Sequence, residues 1–342
     1  MFAKRTLLAV LASVLLLALS VTPGAGRPPT GDFAAVDAYI IAMMRAVPIP
    51  GLALAIVRGS EVVYQQGYGI ADRSGTPVTP QTPFMLASVT KTFTALAVQQ
   101  LAEAGSIDLD LPLQTYLAEF QLADTQAAQA LTVRHLLDHT SGISTLEGTQ
   151  PYLYSPCTTF TQALARLAHY RPRRRPGEQA EYSNWNYILL GEVISRASGL
   201  PYSDYIQTHI FDPLDMTRAS LKDHHTIPGA AQGKAILFGL SVPFDEPYSP
   251  VSLSAGYLTA SAEDLAHYLI PYVNDGRCQQ VSLLSPQGEG WYDIYWNRRP
   301  GRPDDIAIDH SGGHDSINTD IQIFPRQKIG VVVLMNTRLD TL

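Results

Sequence analysis

The sequence is poor in cysteine. Cys157 and Cys278 are its only two, and neither belongs to a CxxC pair or to a motif that points to catalysis. A disulfide between them is permissible if the chain is exported. Sequence alone does not show whether their Cα atoms come close enough, and two unpaired, semi-buried thiols are the favoured reading. A basic surplus is also missing. Lys and Arg number 24 against 31 Asp and Glu, a formal charge of -7, which argues against a nucleic-acid binder. The one basic cluster, Arg171 to Arg175, is bracketed by prolines and free of aromatics, so it reads as a solvated loop. No zinc signature and no phosphate loop occurs. Asp108 and Asp110 supply too few oxygen ligands for a calcium loop and read as a helix-capping pair. The adjacent His224 and His225 lack metal-ligand spacing and read as surface loop. Neither a metal nor a cofactor is therefore expected. Internal repeats and low-complexity runs are absent as well.

What is present is an ordinary globular composition, 46% hydrophobic and 16% charged over 342 residues. That is outside the range expected of disorder. The length suits one large domain or two intimately packed ones, and suffices for a core without metal or disulfide support.

Lys4 and Arg5 precede an apolar run from Leu7 to Val21, followed by Thr-Pro-Gly-Ala-Gly. A short basic region, an apolar region and a small-residue exit make residues 1–26 a candidate signal peptide. The run is short for a spanning helix, which needs about 20 apolar residues. The expected location is periplasmic or extracellular, with membrane association only through an uncleaved N-terminus.

Apolar spacing predicts a helix over Phe33 to Arg45, with Asp32 as its cap. Gly51 to Arg58 and Val62 to Tyr68 read as strands joined tightly at Gly59 and Ser60. Helical patterns follow at Lys91 to Ala104, Thr132 to His139, Thr159 to His169, Asn186 to Ser198, Tyr202 to Ile210 and Leu258 to Val273. In the last, Ser261 is a candidate cap. Strand-like runs close the chain at Trp291 to Asn297, Ile306 to His310, Ile317 to Phe324 and Lys328 to Met335, with a turn at Pro325 to Lys328. The economical fold is α+β: an antiparallel sheet formed from both chain ends and flanked by helices, with an inserted helical domain. Within residues 27–342 the sheet parts are about 33–85 and 251–342, and the helical insertion is about 86–250.

Three short motifs carry chemistry. Ser88 and Lys91 stand three residues apart at the start of a predicted helix, where i and i+3 share a face. A serine hydroxyl is a weak nucleophile that needs such a neighbouring proton acceptor. Tyr182-Ser183-Asn184 lies just ahead of another helix. A phenol can shuttle a proton where cations depress its pKa, and Asn184 offers an amide to a substrate. His310-Ser311-Gly312-Gly313 ends a predicted strand, where glycines admit a substrate to the backbone and an N–H can join that of Ser88 as an oxyanion hole.

In this order the three motifs resemble those of the class C β-lactamase and DD-peptidase superfamily of serine hydrolases. Leu136 to Ile143, Pro176 to Glu178, Pro213 to Thr217 and Ser254 to Leu265 are similar to further family segments, so the likeness runs from about Phe33 to Asn336. The resemblance implies that Ser88 is the acylated nucleophile, that Lys91 helps deprotonate it, and that Tyr182 is the general base and helps activate water. It implies that Asn184 orients Lys91 and the substrate, and that Ser88 and Gly313 hold the oxyanion, with Gly312 beside them. His310 stands where true β-lactamases carry Lys. Histidine is mostly neutral near pH 7, so a peptidase or esterase is expected ahead of a β-lactamase. The expected partner is a small-molecule or peptide acyl substrate, not nucleic acid. The rival readings are a catalytically weak or inactive peptide-binding or scaffold member of the same fold, or a true β-lactamase. The resemblance also implies a long helix after the last strand, for which this sequence leaves little room: either the sequence is a fragment or the fold tolerates the loss of that helix, in which case one sheet face is expected to be partly uncovered.

Overall fold

The computed structural model describes residues 33–144, 159–237, 240–274, 277–278, 281–282, 297–299 and 307–338. The candidate signal peptide, Cys157 and most of the run from Trp291 to Asn297 lie outside these residues, so the Cys157–Cys278 question does too.

Helix α1 is Ala34–Ala46, and it turns Val36, Ile40 and Met43 inward. It ends at Val47, one residue before Pro48, as the restriction on residues ahead of proline dictates. Strands β1 (Gly51–Arg58) and β2 (Glu61–Gly69) form the expected hairpin. Gly59 supplies the positive φ of 57° that its tight turn requires. Helix α2 (Thr90–Glu103) follows a single 3-10 turn, Ala87–Val89. Thr90 through Val98 are buried without interruption, the pattern of a helix enclosed on all sides. Helix α3 (Asn184–Ser198) stops at Gly199, which adopts the left-handed conformation at φ 73°. Helix α4 is Ala262–Val273. Strands β3 (Asn297–Arg299), β4 (Ala307–Gly313), β5 (Asn318–Phe324) and β6 (Ile329–Met335) complete the main sheet.

The sheet order is β2-β1-β6-β5-β4-β3, antiparallel at every junction. The first hairpin and the last strand are neighbours, so the two chain ends share one sheet, as the sequence led us to expect. β1 and β6 are buried on both faces, which is why they read as continuous apolar runs rather than alternating ones. Leu52, Leu54 and Ile56 pack with Val331, Val333 and α1 on one face. Ala53, Ala55 and Val57 join Val332, Leu334, α4 and the helical region on the other. On the first of these faces α1 covers Val331 and Val333, which are buried.

Four sequence expectations need correction. The helix expected from Leu258 starts only at Ala262. Ser261 and Asp264 form a reciprocal capping box there, and Thr259–Ala260 is instead extended and pairs with Phe84–Met85. The helix expected to reach His139 ends at Leu137, because His139 itself takes φ 56°. The helix from Tyr202 keeps α geometry only to Ile206 and widens into a π turn over Gln207–Phe211. Asp110 does not cap a helix; it holds Arg134 through two hydrogen bonds of 2.6 and 2.7 Å.

Candidate active site

Ser88 sits in the 3-10 turn that opens α2. The turn is forced into shape by its neighbours. Ala87 adopts φ 48°, a conformation that costs a non-glycine residue about 1–3 kcal/mol. Leu86 is clamped on both sides: its N–H donates to Leu258 O at 2.7 Å, and its carbonyl accepts from Thr319 Oγ1 at 2.8 Å. β4 then runs directly against the turn. A Cβ built on Gly312 would come 2.3 Å from Leu86 O and 2.9 Å from Ser88 N. Only glycine permits that approach, so Gly312 lets the strand end lie beside the Ser88 backbone.

In the first turn of α2, Lys91 is 1% exposed. Its Nζ lies 3.4 Å from Ser88 Oγ and donates to Ala255 O at 2.5 Å. The Ala255 carbonyl is fixed by both helices. Thr94 Oγ1 donates to Ser254 O, and Ser254 Oγ donates to Tyr187 O on α3. Gly191 makes room for this contact, since a Cβ there would meet Ser254 Oγ at 2.4 Å. Burial pulls the Lys91 pKa down from 10.5 to about 7. The Tyr182 and Tyr187 ring centroids lie 5.0 and 5.7 Å from Nζ, a modest compensation for the charged form.

Tyr182 leaves 42% of its surface in solvent, but its ring lies against Lys91 and, at 4.6 Å between centroids, His139. Desolvation of the hydroxyl end pushes the phenol up to about 12, against the opposing effect of its hydrogen bond with Ser88. Tyr182 is thus a neutral phenol at rest, not a phenolate.

The loop carrying Tyr182 is braced by the segment Leu136–Ile143. His139 Nδ1 accepts from Ser183 N at 3.1 Å and lies 3.0 Å from Asn186 Nδ2, and His139 O accepts from Glu181 N at 2.7 Å. Ser141 Oγ donates to Asn186 Oδ1 at 2.7 Å. Burial, with Lys91 and His310 nearby, lowers the His139 pKa to about 3, so the ring is neutral. His139, which lies within the Leu136 to Ile143 segment, brackets the Tyr182 loop through its left-handed backbone and buried ring. Asn184 stands at the first position of α3. Among the described residues, Lys91 directs its hydrogen bonds to Ser88 and Ala255 rather than to Asn184.

His310 lies on β4, 8% exposed, with Nδ1 3.0 Å from Ser311 O. Burial and then the Lys91 charge lower its pKa to about 4. It offers a neutral imidazole to the site. Gly313 ends β4 opposite Asn318. Just beyond it, His314 Nε2 lies 3.2 Å from Gly256 O. Glu246, 4% exposed, accepts from Ser316 N and Oγ at 2.6 and 2.8 Å. Sequence reading singled out neither His314 nor Glu246, because both lie outside any motif and meet only through the fold.

Ser88, Lys91, Tyr182, His310 and Gly312 are thus brought together, with Asn184 and Gly313 on the adjoining element ends. A hydroxyl, a buried amine of depressed pKa and a phenol in contact can move a proton from the hydroxyl and return it to a leaving group.

A family model described as Beta-lactamase matches residues 36–341. Protein flp of Staphylococcus aureus (strain COL) is 28% identical over 310 residues, covering 88% of this chain and 62% of that protein. The chain thus spans less than two thirds of the length of that relative. Among solved structures, the octameric penicillin-binding protein homologue from Pyrococcus abyssi matches with a TM-score of 0.77 at 28% identity, over 90% of this chain and 74% of that one. A class C beta-lactamase matches with a TM-score of 0.78 at 20% identity, over 90% of this chain and 92% of that one, a likeness of fold.

Proposed function

Because this chain belongs to the beta-lactamase family, within the serine β-lactamase and DD-peptidase superfamily of serine hydrolases, we propose that it cleaves an ester or amide bond through an acyl-enzyme on Ser88. The observation that carries this reading is Lys91: an almost fully enclosed amine, 3.4 Å from Ser88 Oγ, with a pKa of about 7. At neutral pH about half of such amines are unprotonated and able to accept the serine proton.

In the proposed sequence, Ser88 Oγ attacks the substrate carbonyl carbon as its proton passes to Lys91. The backbone N–H groups of Ser88 and Gly313 hold the oxyanion. Tyr182 gives its phenolic proton to the leaving group and recovers one from Lys91. The same pair then takes a proton from water as it attacks the acyl carbon, and returns that proton to Ser88 Oγ as the C–O bond to the serine breaks. Tyr182 acts as a proton relay, in keeping with a phenol held near 12. Asn184 and His310 face the substrate as hydrogen-bonding groups.

For substrate class we propose a small ester or a D-amino-acid peptide ahead of a β-lactam. A neutral His310 supplies no fixed cation for a substrate carboxylate. Export is proposed on the apolar run from Leu7 to Val21. The test is a panel of short-chain esters, D-Ala-D-Ala peptides and a chromogenic cephalosporin, assayed with wild type and Ser88→Ala. Ester or peptide turnover that disappears in Ser88→Ala supports the proposal. Turnover that survives in Ser88→Ala removes the serine from it, and a dominant cephalosporinase activity reverses the substrate assignment.

A further inference from the structure

Away from Ser88, a second cluster of side chains has chemistry that acyl transfer does not use. His224 and His225, which follow Asp223, were expected to be surface loop. The structure corrects that for His224, whose side chain is only 10% exposed. Asp223 Oδ1 accepts from His225 N at 3.0 Å and opens a one-turn 3-10 helix over His224–Thr226. This short turn brings the two adjacent imidazoles together, with centroids 3.8 Å apart and planes tilted by 39°. Ligand atoms of all three residues fall within 4.8 Å of one another.

We propose that Asp223, His224 and His225 form a binding site for a transition-metal dication of the zinc class. Three independent features of the geometry carry it. First, His224 Nδ1 is buried and has no hydrogen-bond partner, an arrangement that proteins avoid unless something else occupies the lone pair. Second, Asp223 Oδ1 stands 3.7 Å from that nitrogen. This is too far for a hydrogen bond but near the ~3.4 Å that separates two tetrahedral ligands at zinc bond lengths of about 2.1 Å. Third, His225 Nε2 lies 2.9 Å from Glu246 O. Donation to a backbone carbonyl fixes the tautomer and leaves Nδ1 with its lone pair, the usual second contact of a metal-bound histidine. Two imidazoles and a carboxylate suit zinc rather than calcium or magnesium. A cavity of about 170 Å³, lined by His224, His225, Asp72, Asp245 and Glu246, adjoins the cluster and has room for water as the remaining ligand.

The site would also act on the neighbouring structure. His225 holds the Glu246 backbone, and the Glu246 carboxylate holds Ser316, three residues past Gly313. A bound metal would tie this segment down, so it should raise thermal stability.

The experiment uses the full chain without a histidine tag, stripped with chelator and titrated with zinc by calorimetry. Cobalt absorption is the second readout, since tetrahedral cobalt gives intense visible bands. The expected result is one zinc per chain, a higher melting temperature, and at least tenfold weaker binding in His224→Ala and His225→Ala. Asp223→Asn keeps the oxygen that caps the turn and removes only charge; it should also weaken binding, which covers the case in which His224→Ala fails to fold. Absence of stoichiometric binding to wild type, or undiminished binding in His225→Ala and Asp223→Asn, overturns the site. Circular dichroism reports folding in each variant and Ser88 probe labelling is read separately, so failure of the metal site and failure of the acyl-transfer reading are distinguishable.

Discussion

Lys91 Nζ meets Ser88 Oγ at 3.4 Å from a position where only 1% of the lysine is exposed. Its other hydrogen bond goes to a backbone carbonyl, Ala255 O, at 2.5 Å. Neither partner is a carboxylate, so the ammonium form loses solvation and gains no opposite charge. The amine is therefore easily deprotonated, as a base for serine must be, and the charged form weighs on the stability of the fold.

The first consequence is a pH profile. With a folded-state pKa of about 7, Lys91 is mainly protonated below pH 7 and mainly neutral above it. Values of kcat/KM are expected to rise through an acid limb near 7 and level off above it. Steady-state rates on an ester substrate between pH 5 and 9 check this; a flat profile would remove Lys91 as the base.

Stability follows the same ionisation. The unfolded lysine titrates near 10.5 and the folded one near 7, so between these values the unfolded state binds more protons. Stability should rise with pH across that window, and below pH 7 the buried charge weakens the fold in full. Lys91→Met removes the charge while filling the space. It is expected to stabilise the protein by roughly 1–3 kcal/mol while abolishing turnover, as denaturant unfolding beside an activity assay would show.

Tyr182→Phe removes the relay and keeps the ring that packs on His139. The fold should persist and kcat should drop by about 10²–10⁴. Because the phenol is held near 12, wild type should show no phenolate-driven rise in rate up to pH 10. Near-normal turnover in the variant would take Tyr182 out of the chemistry.

His310→Lys places a fixed cation where a neutral imidazole now stands. KM for carboxylate-bearing substrates should fall by roughly tenfold, with simple esters little changed. An unaltered substrate profile would mean that His310 does not line the binding face.

Gly312→Ala forces a Cβ to within 2.3 Å of Leu86 O and 2.9 Å of Ser88 N. Both obstacles are backbone, so the turn must move. A loss of about 1–3 kcal/mol is expected, together with loss of activity. Wild-type melting and turnover would show that β4 does not press on the Ser88 turn.

Much of this was legible in the sequence, for identifiable reasons. The hairpin at Gly59, the cap at Ser261 and the turn at Pro325 are local signals, and local geometry fixed them. Ser88 and Lys91 are likewise local, one helical turn apart. The state of the lysine was not legible, since it depends on Ala255, 164 residues away, and on enclosure by α3. The bracing by His139 was not legible, because its bond to Ser183 N crosses 44 residues of chain. The start of α4 was set too early because Leu258 continues its apolar period; pairing of Thr259 and Ala260 with Phe84 and Met85 overrides that pattern. His224 was misread as exposed, since adjacent histidines in a polar stretch give no sign of which one the fold will enclose.

The most direct test is covalent labelling of the full chain with a fluorophosphonate probe, followed by peptide mapping, in wild type and Ser88→Ala between pH 5 and 9. The expected result is one adduct, on Ser88, absent from Ser88→Ala, forming at a rate that follows an ionisation near pH 7. Folded wild type that does not label, or an adduct that maps elsewhere and persists in Ser88→Ala, would contradict a lysine-activated Ser88 nucleophile.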